Sequence, residues 1–480
     1  MKHRSLQRSL STEAPPRSAP WASADGMAIG HRFAELRQRT MALVQGLSEA
    51  DCQAQSMPDA SPLKWHLAHV TWFFETFVLE RFEPDFKPFH PAFRALFNSY
   101  YNGVGAQHAR TQRGLITRPG LAEIKAYRAA VDERVLAVLT RFDLDEATSA
   151  KLLPLIELGL QHEQQHQELM LTDIKHLLSL NPLAPAFRTR RPLALSFAVS
   201  STLSSALVRP VEPSWTGFEG GLVEIGHTGD GFAFDNESPR HRVWLEPFAL
   251  SNRLVTHGEW AEFVAAGAYR DPRWWLSAGW DWVQREAISA PLYWCGAGGE
   301  AAGDTAKDTA KDTAEDWHSF TLHGLLPIDP QAPIVHISYF EADAYARWRG
   351  AQHSRTWRLP TEAEWEHAAQ LHRVAARSFG NFAESEAWHP LPVSRTYPGP
   401  MQLLGDVWEW TRSSYQAYPG YQPWAGAVGE YNGKFMVNQY VLRGGSCATA
   451  ADHLRTSYRN FFPTEARWQF SGLRLARSSG

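Results

Sequence analysis

The chain has 480 residues, 44% of them apolar and 20% charged, with 47 Lys and Arg against 51 Asp and Glu. A net charge of −4 gives no electrostatic footprint for nucleic acid or an anionic membrane surface, and there is no apolar run long enough to span a bilayer. A length roughly three times a ~150-residue domain predicts two or three domains, and the three widely spaced cysteines, Cys52, Cys295 and Cys447, exclude a disulfide framework and point to a reducing, cytoplasmic setting.

Residues 1–28 are rich in Ser, Arg, Pro and Ala, show no apolar period and lack a hydrophobic signal core. Their composition is similar to that of an organellar transit peptide, but a plain disordered tail is the simpler expectation. Residues 29–182 read as helical. A first helix is marked by Phe33, Leu36, Met41, Val44 and Leu47. Ser61 and Pro62, a cap and a proline at the first helical position, open a second from Leu63 to Glu80. A third runs Leu121–Phe142 with Ile124, Tyr127, Val131, Val135 and Val138 on one stripe, and a fourth runs from Pro154 to about Leu180. Four amphipathic helices and one long loop, residues 84–118, predict a four-helix bundle.

Residues 183–213 are a Pro-rich, then Ser- and Leu-rich linker. From 214 to 480 short β-like runs such as Gly221–Gly226 and Val243–Phe248 alternate with Gly-, Pro- and Trp-rich loops. Helical patterns are few there: Thr256–Ala266, Ser338–Gly350 and Thr361–Gln370. This predicts an irregular α+β domain. Within it, residues 303–316 hold three tandem Asp-Thr-Ala-Lys/Glu units, which read as a solvated loop expansion.

His162 and His166 are four residues apart, so both imidazoles project from one helical face about 6 Å apart. That spacing lets a helix offer two nitrogens to one metal ion. The second helix adds His66 and His69, flanked by Trp65, Trp72, Phe73, Phe74 and Phe77 and so expected to be buried. Three histidines from two helices would leave open positions on a metal, which suits catalysis more than a structural role; spacing alone does not choose zinc from iron. The long loop supplies Tyr100, Tyr101, Arg110 and Arg113, a phenol donor and a carboxylate clamp in chemical terms, or else a packed tyrosine beside solvated arginines.

Taken together, the run Ser61 to Phe74 (SPLKWHLAHVTWFF), Asn98 to Gly105 (NSYYNGVG) and His162-Glu-Gln-Gln-His166 resembles the DinB-like half of the sulfoxide synthases that form ergothioneine. Val335 to Tyr345 (VHISYFEADAY), Arg358 to Trp365 (RLPTEAEW), Gly405 to Trp410 (GDVWEW) and Leu442 to Ser446 (LRGGS) resemble the formylglycine-generating-enzyme fold, a C-type-lectin-like architecture. The resemblance covers nearly everything from about residue 30 to the end.

It implies a mononuclear non-haem iron(II) held by His69, His162 and His166, with His66 left to a neighbouring or structural role. The implied reaction uses O₂ to join a cysteine sulfur to C2 of the imidazole of hercynine, Nα-trimethylhistidine, as a sulfoxide. Gln165 matches the residue that hydrogen-bonds the hercynine imidazole, and Asn460 and Phe461 match the segment that receives the betaine. There an aromatic face meets a trimethylammonium in a cation–π contact. Members using γ-glutamylcysteine carry an acidic residue where this chain has Phe462, and the Tyr100–Tyr101 pair resembles the branch using free cysteine, in which it serves as proton donor or redox-active phenol. Cysteine is therefore the expected thiol, with Arg110 or Arg113 as its carboxylate clamp.

The alternatives are γ-glutamylcysteine as donor, an ovothiol-type synthase acting at C5 of histidine, a DinB-type metal-dependent thiol transferase, and a ligand-binding module with a structural metal. Cys447 stands alone in its region, which disfavours formylglycine generation. Nothing in the sequence speaks to oligomeric state.

Overall fold

The computed structural model describes residues 26–141, 145–189, 211–229, 231–296, 317–393 and 397–478. The N-terminal tail up to residue 25 and the tandem repeat at 303–316 lie outside the described residues. Four helices form the expected bundle: α1 (Gly26–Leu43), α2 (Leu63–Phe74), α3 (Leu121–Leu139) and α4 (Glu146–Ser179). Both α1 and α2 pack against α3 and α4.

All twelve residues of α2 are buried, as its apolar circumference demands of a central helix. A π turn at Glu75–Leu79 prolongs it. Its start departs from expectation. Pro62 is the N-cap and makes no side-chain capping bond. Ser61 is engaged elsewhere, its N–H donating to Asp173 at 2.8 Å and its hydroxyl accepting from Arg113 at 2.9 Å.

The fourth helix also begins earlier than the sequence suggests, at Glu146, with the Asp145 carboxylate accepting from the Thr148 N–H at 2.6 Å. Pro154 therefore sits inside α4 instead of opening it. A proline there frees the carbonyl four residues back, and that carbonyl belongs to the exposed Ala150, where water can bond it. Gly159 lets α2 and α4 approach closely: a Cβ at this position would lie 2.5 Å from Phe74 Cε1 and 3.1 Å from Phe73 Cε1.

The C-terminal half is built on short strands. One sheet has the order β1 (Trp215–Phe218), β2 (Phe248–Ser251), β8 (Ala476–Ser478), β3 (Trp357–Arg358), so the last strand pairs antiparallel with an early one, Ala476 opposite Leu250. A second has the order β6 (Asn460–Pro463), β5 (Gln439–Arg443), β4 (Trp408–Ser414), β7 (Ser471–Gly472). Its register sets Asn460 opposite Leu442 and Phe461 opposite Val441, on an edge strand of that sheet.

The two halves share one continuous hydrophobic core that includes Phe33, Phe74 and Ile174 from the bundle and Trp408, Trp410 and Phe470 from the second domain. Between them, the start of the expected linker is packed: Phe187 is buried and its N–H donates to the Leu322 carbonyl at 2.9 Å.

Candidate metal centre and substrate cavity

Helices α2 and α4 bring His69, His162 and His166 together, with one ligand atom from each lying within 4.8 Å of the others. The ring centroids are 4.6–5.0 Å apart. All three are buried. Burial without a carboxylate partner pushes His162 down to about 4 and His69 and His166 well below the usual imidazole range. Each imidazole is therefore neutral near pH 7 and offers a lone pair.

The neighbours fix two of the rings. His69 Nδ1 donates to the Phe97 carbonyl at 2.7 Å. His166 Nδ1 is 2.8 Å from His66 Nδ1, and His66 Nε2 is 3.0 Å from Asp173 Oδ2. His162 Nδ1 is buried with no hydrogen-bond partner among the described residues. Three neutral nitrogens, with no thiolate and no fourth protein ligand in the cluster, fit a transition metal kept open for exogenous ligands.

A cavity of about 810 Å³ opens over the triad. From the bundle side it is lined by Gln165, Tyr100, Arg110 and Arg113, and from the second domain by Asn460, Phe461 and Phe462. Tyr101 does not reach it. It is buried in the bundle, where its ring lies 5.6 Å from Trp72 and 5.2 Å from Phe77. Tyr100 faces the cavity, its hydroxyl accepting from Arg110 at 3.0 Å. Arg110 also donates to the Asp59 carbonyl.

Arg113 is buried with its guanidinium 3.4 Å from the Trp65 ring centroid. Among the described residues Ser61 is its one hydrogen-bond partner and its Nε has none, and burial pulls its pKa down to about 9. Gln165 Nε2 donates to the Tyr458 hydroxyl at 2.7 Å, and that hydroxyl lies 3.2 Å from His453 Nε2. Phe461 stacks on Tyr415 at 4.0 Å and lies near Phe435 and Tyr431 at 5.7 and 6.5 Å. Phe462 packs edge-on against Trp468.

Sequence reasoning missed Tyr458, Tyr431 and Phe435, all of which line the cavity. None sits in a pattern that would single it out. Tyr431 lies on the short helix Glu430–Gly433, and Phe435 follows it; a clamp holds this segment against the tyrosine loop. In that clamp the Glu430 carboxylate accepts from the Asn102 and Gly103 N–H groups, both at 2.8 Å, and Lys434 donates to the Tyr100 carbonyl.

A helical bundle that presents three imidazoles to a cavity closed by a second, strand-built domain defines a two-domain metalloenzyme. Residues 32–170 match the DinB superfamily and residues 205–479 the sulfatase-modifying factor enzyme 1-like domain. Over 94% of its length the chain is 32% identical to hercynine oxygenase from Mycolicibacterium thermoresistibile, covering 96% of that protein. It is 31% identical to hercynine oxygenase from Mycolicibacterium smegmatis over 93% of this chain and 98% of that one. Over 52% of its length it is 25% identical to ergothioneine biosynthesis protein 1 of Schizosaccharomyces pombe, 28% of which is covered.

The chain belongs to the hercynine oxygenase family. It is a metal-dependent oxidoreductase of the sulfoxide synthase class that acts on small molecules. Among the described residues no helix is long and apolar enough to cross a membrane.

Proposed function

We propose that the chain joins the sulfur of free cysteine to C2 of the hercynine imidazole as a sulfoxide, with iron(II) at His69, His162 and His166. One O₂ takes up four electrons: a C–H and an S–H bond are lost, C–S and S–O bonds form, and the second oxygen leaves as water. The observation that carries this reading is the shared cavity, in which the three imidazoles of the bundle face Gln165, Tyr100 and the Asn460–Phe462 strand. Iron(II) bound there would activate dioxygen and acidify a coordinated thiol.

The surrounding residues bind and orient. Gln165 Nε2 spends one of its two N–H groups on Tyr458, and its side-chain oxygen accepts from the N–H of the substrate imidazole. Phe461, with Tyr431 and Phe435 beside it, offers aromatic surface to the trimethylammonium, a contact worth about 0.5–2 kcal/mol.

Both arginines keep a buried Nε without a partner among the described residues, but Arg110 also holds the Tyr100 hydroxyl and the Asp59 carbonyl, whereas Arg113 is a buried cation bonded to Ser61 alone. Arg113 is therefore the carboxylate clamp for cysteine, and Tyr100, oriented by Arg110, is the proton donor. Phe462 places an apolar ring where the ammonium of a γ-glutamyl group would need a carboxylate.

Mass spectrometry of the product tests this directly. Anaerobically Fe(II)-loaded protein is mixed with hercynine and either cysteine or γ-glutamylcysteine and then exposed to air. Hercynyl-cysteine sulfoxide from free cysteine is expected. Product from γ-glutamylcysteine alone would refute the thiol assignment and keep the reaction, and no product from either would refute both.

A further inference from the structure

The cluster behind His166 carries an assignment of its own. Asp173 Oδ2 accepts from the Ser61 N–H at 2.8 Å and lies 3.0 Å from His66 Nε2. His66 Nδ1 in turn lies 2.8 Å from His166 Nδ1. Asp173 is 5% exposed and His66 2%, and both reach the wall of the cavity.

A carboxylate can only accept, so the proton between it and His66 sits on His66 Nε2. A neutral His66 then has a lone pair at Nδ1, and the contact with His166 requires the proton on His166 Nδ1. The remaining lone pair of His166 is at Nε2, on the ring that faces the cavity. One carboxylate thereby fixes the tautomers of two imidazoles in series. His69 reaches the same tautomer by donating to a backbone carbonyl, which no side-chain substitution removes.

We infer that His66 and Asp173 are positioning residues for the metal: through two successive hydrogen bonds they hold His166 in the Nδ1–H tautomer and raise the donor strength of its Nε2. This inference rests on the reading of the three histidines as a metal site. It gives His66 a role that its place one helical turn from His69 leaves undefined. Outer partners of this kind are worth about 10–100-fold in metal affinity. The relay also ties the metal to the substrate side, since Ser61, whose N–H anchors Asp173, accepts from Arg113 through its hydroxyl.

The test compares metal affinity and imidazole tautomer in the full-length protein with His66→Phe, His66→Asn and Asp173→Asn. Affinity for Fe(II) is read anaerobically by chelator competition, and the tautomer of His166 by nitrogen-15 NMR of the metal-free protein. His66→Phe removes the acceptor and is expected to weaken binding about 10–100-fold and to mix the His166 tautomers. His66→Asn places an oxygen near the former Nδ1 and is expected to keep affinity within about threefold and the Nδ1–H signal intact.

Unchanged affinity in His66→Phe overturns the proposal. So does equal loss in His66→Asn, which would show that only packing was removed. If His66→Phe does not fold, Asp173→Asn decides: it leaves both rings in place, and unchanged affinity together with an unchanged tautomer overturns the relay. An unmodified protein that binds no Fe(II) refutes the metal reading instead, and the tautomer spectra then still show whether His66 governs His166.

Discussion

Tyr100 and Tyr101 are neighbours in sequence, and the loop's backbone sends one to the cavity and the other into the bundle core. Their hydroxyls should therefore behave differently. Tyr100→Phe is expected to slow sulfoxide formation by about 10²-fold, the usual worth of a positioned proton donor. Tyr101→Phe should leave the rate within about threefold and cost under about 1 kcal/mol of stability, because its ring contacts survive. Steady-state rates of product formation for the two variants check this, and equal losses would refute the assignment of Tyr100.

The pairs His162/His166 and His66/His69 were legible in the sequence because a helix has a fixed period, so spacings of four and three translate into shared faces, whereas the choice of His69 over His66 came from the resemblance alone. The tyrosines were not legible to that level, since an irregular loop has no period from which to read direction. His66 was visible as a histidine, but its partner Asp173 lies 107 residues away on another helix, and no local pattern connects them.

At the level of elements, the geometry of the candidate metal site depends on how closely α2 and α4 approach, and Gly159 permits that approach. It lies one helical turn before His162 and directly beneath the Phe73 and Phe74 rings. A larger residue must push the two helices apart where they carry the ligands. Gly159→Val is expected to cost about 1–3 kcal/mol in stability and to weaken metal binding as well. Thermal denaturation with and without metal would show both; a variant with lowered Tm and unaltered affinity would mean that the ligands are set by other contacts.

The positions of α1 and α3 were readable from their apolar rhythm and that of α2 from its proline, but the start of α4 was not. Pro154 looks like a beginning when local preference alone is considered. Tertiary contacts carry the helix through it, and the capping bond at Asp145 lies upstream. The site-bearing strand Asn460–Pro463 was recognisable by resemblance only, since four residues at a sheet edge carry too little alternation to stand out.

Across the whole molecule, the halves are joined by buried polar contacts as well as by a shared apolar core. Glu168, on α4 two residues from His166, accepts from Trp408 Nε1 at 2.8 Å, from the Ser446 hydroxyl at 2.6 Å and from the Thr449 hydroxyl at 2.6 Å. Removing this carboxylate strands three donors of the second domain in a buried interface. Glu168→Ala is expected to destabilise the protein by about 3 kcal/mol and to split calorimetric unfolding into two transitions. One unsplit transition at the original temperature would show that the apolar core suffices to couple the domains. Composition shifts marked the change from bundle to strand-rich domain, but a contact such as Glu168 with Trp408, 240 residues apart, is written nowhere in either half alone.

The cavity's two walls come from different ancestries of fold. Every candidate metal ligand is on the bundle, while Phe461, Tyr431 and Phe435 come from the other domain. The candidate metal ligands and one part of the cavity wall, Gln165 and Arg113 included, thus lie on one stretch of chain and the aromatic part of the wall on another, the first family match ending at residue 170 and the second beginning at residue 205. Exchange of the C-terminal stretch between relatives would retool what is gripped while sparing the reacting centre. The contacts that such a chimaera must preserve include the Glu168 bonds at its base, the Glu430–Lys434 clamp over the tyrosine loop, and the pairs Gln161–His453, Gln164–Asp452 and Lys175–His336.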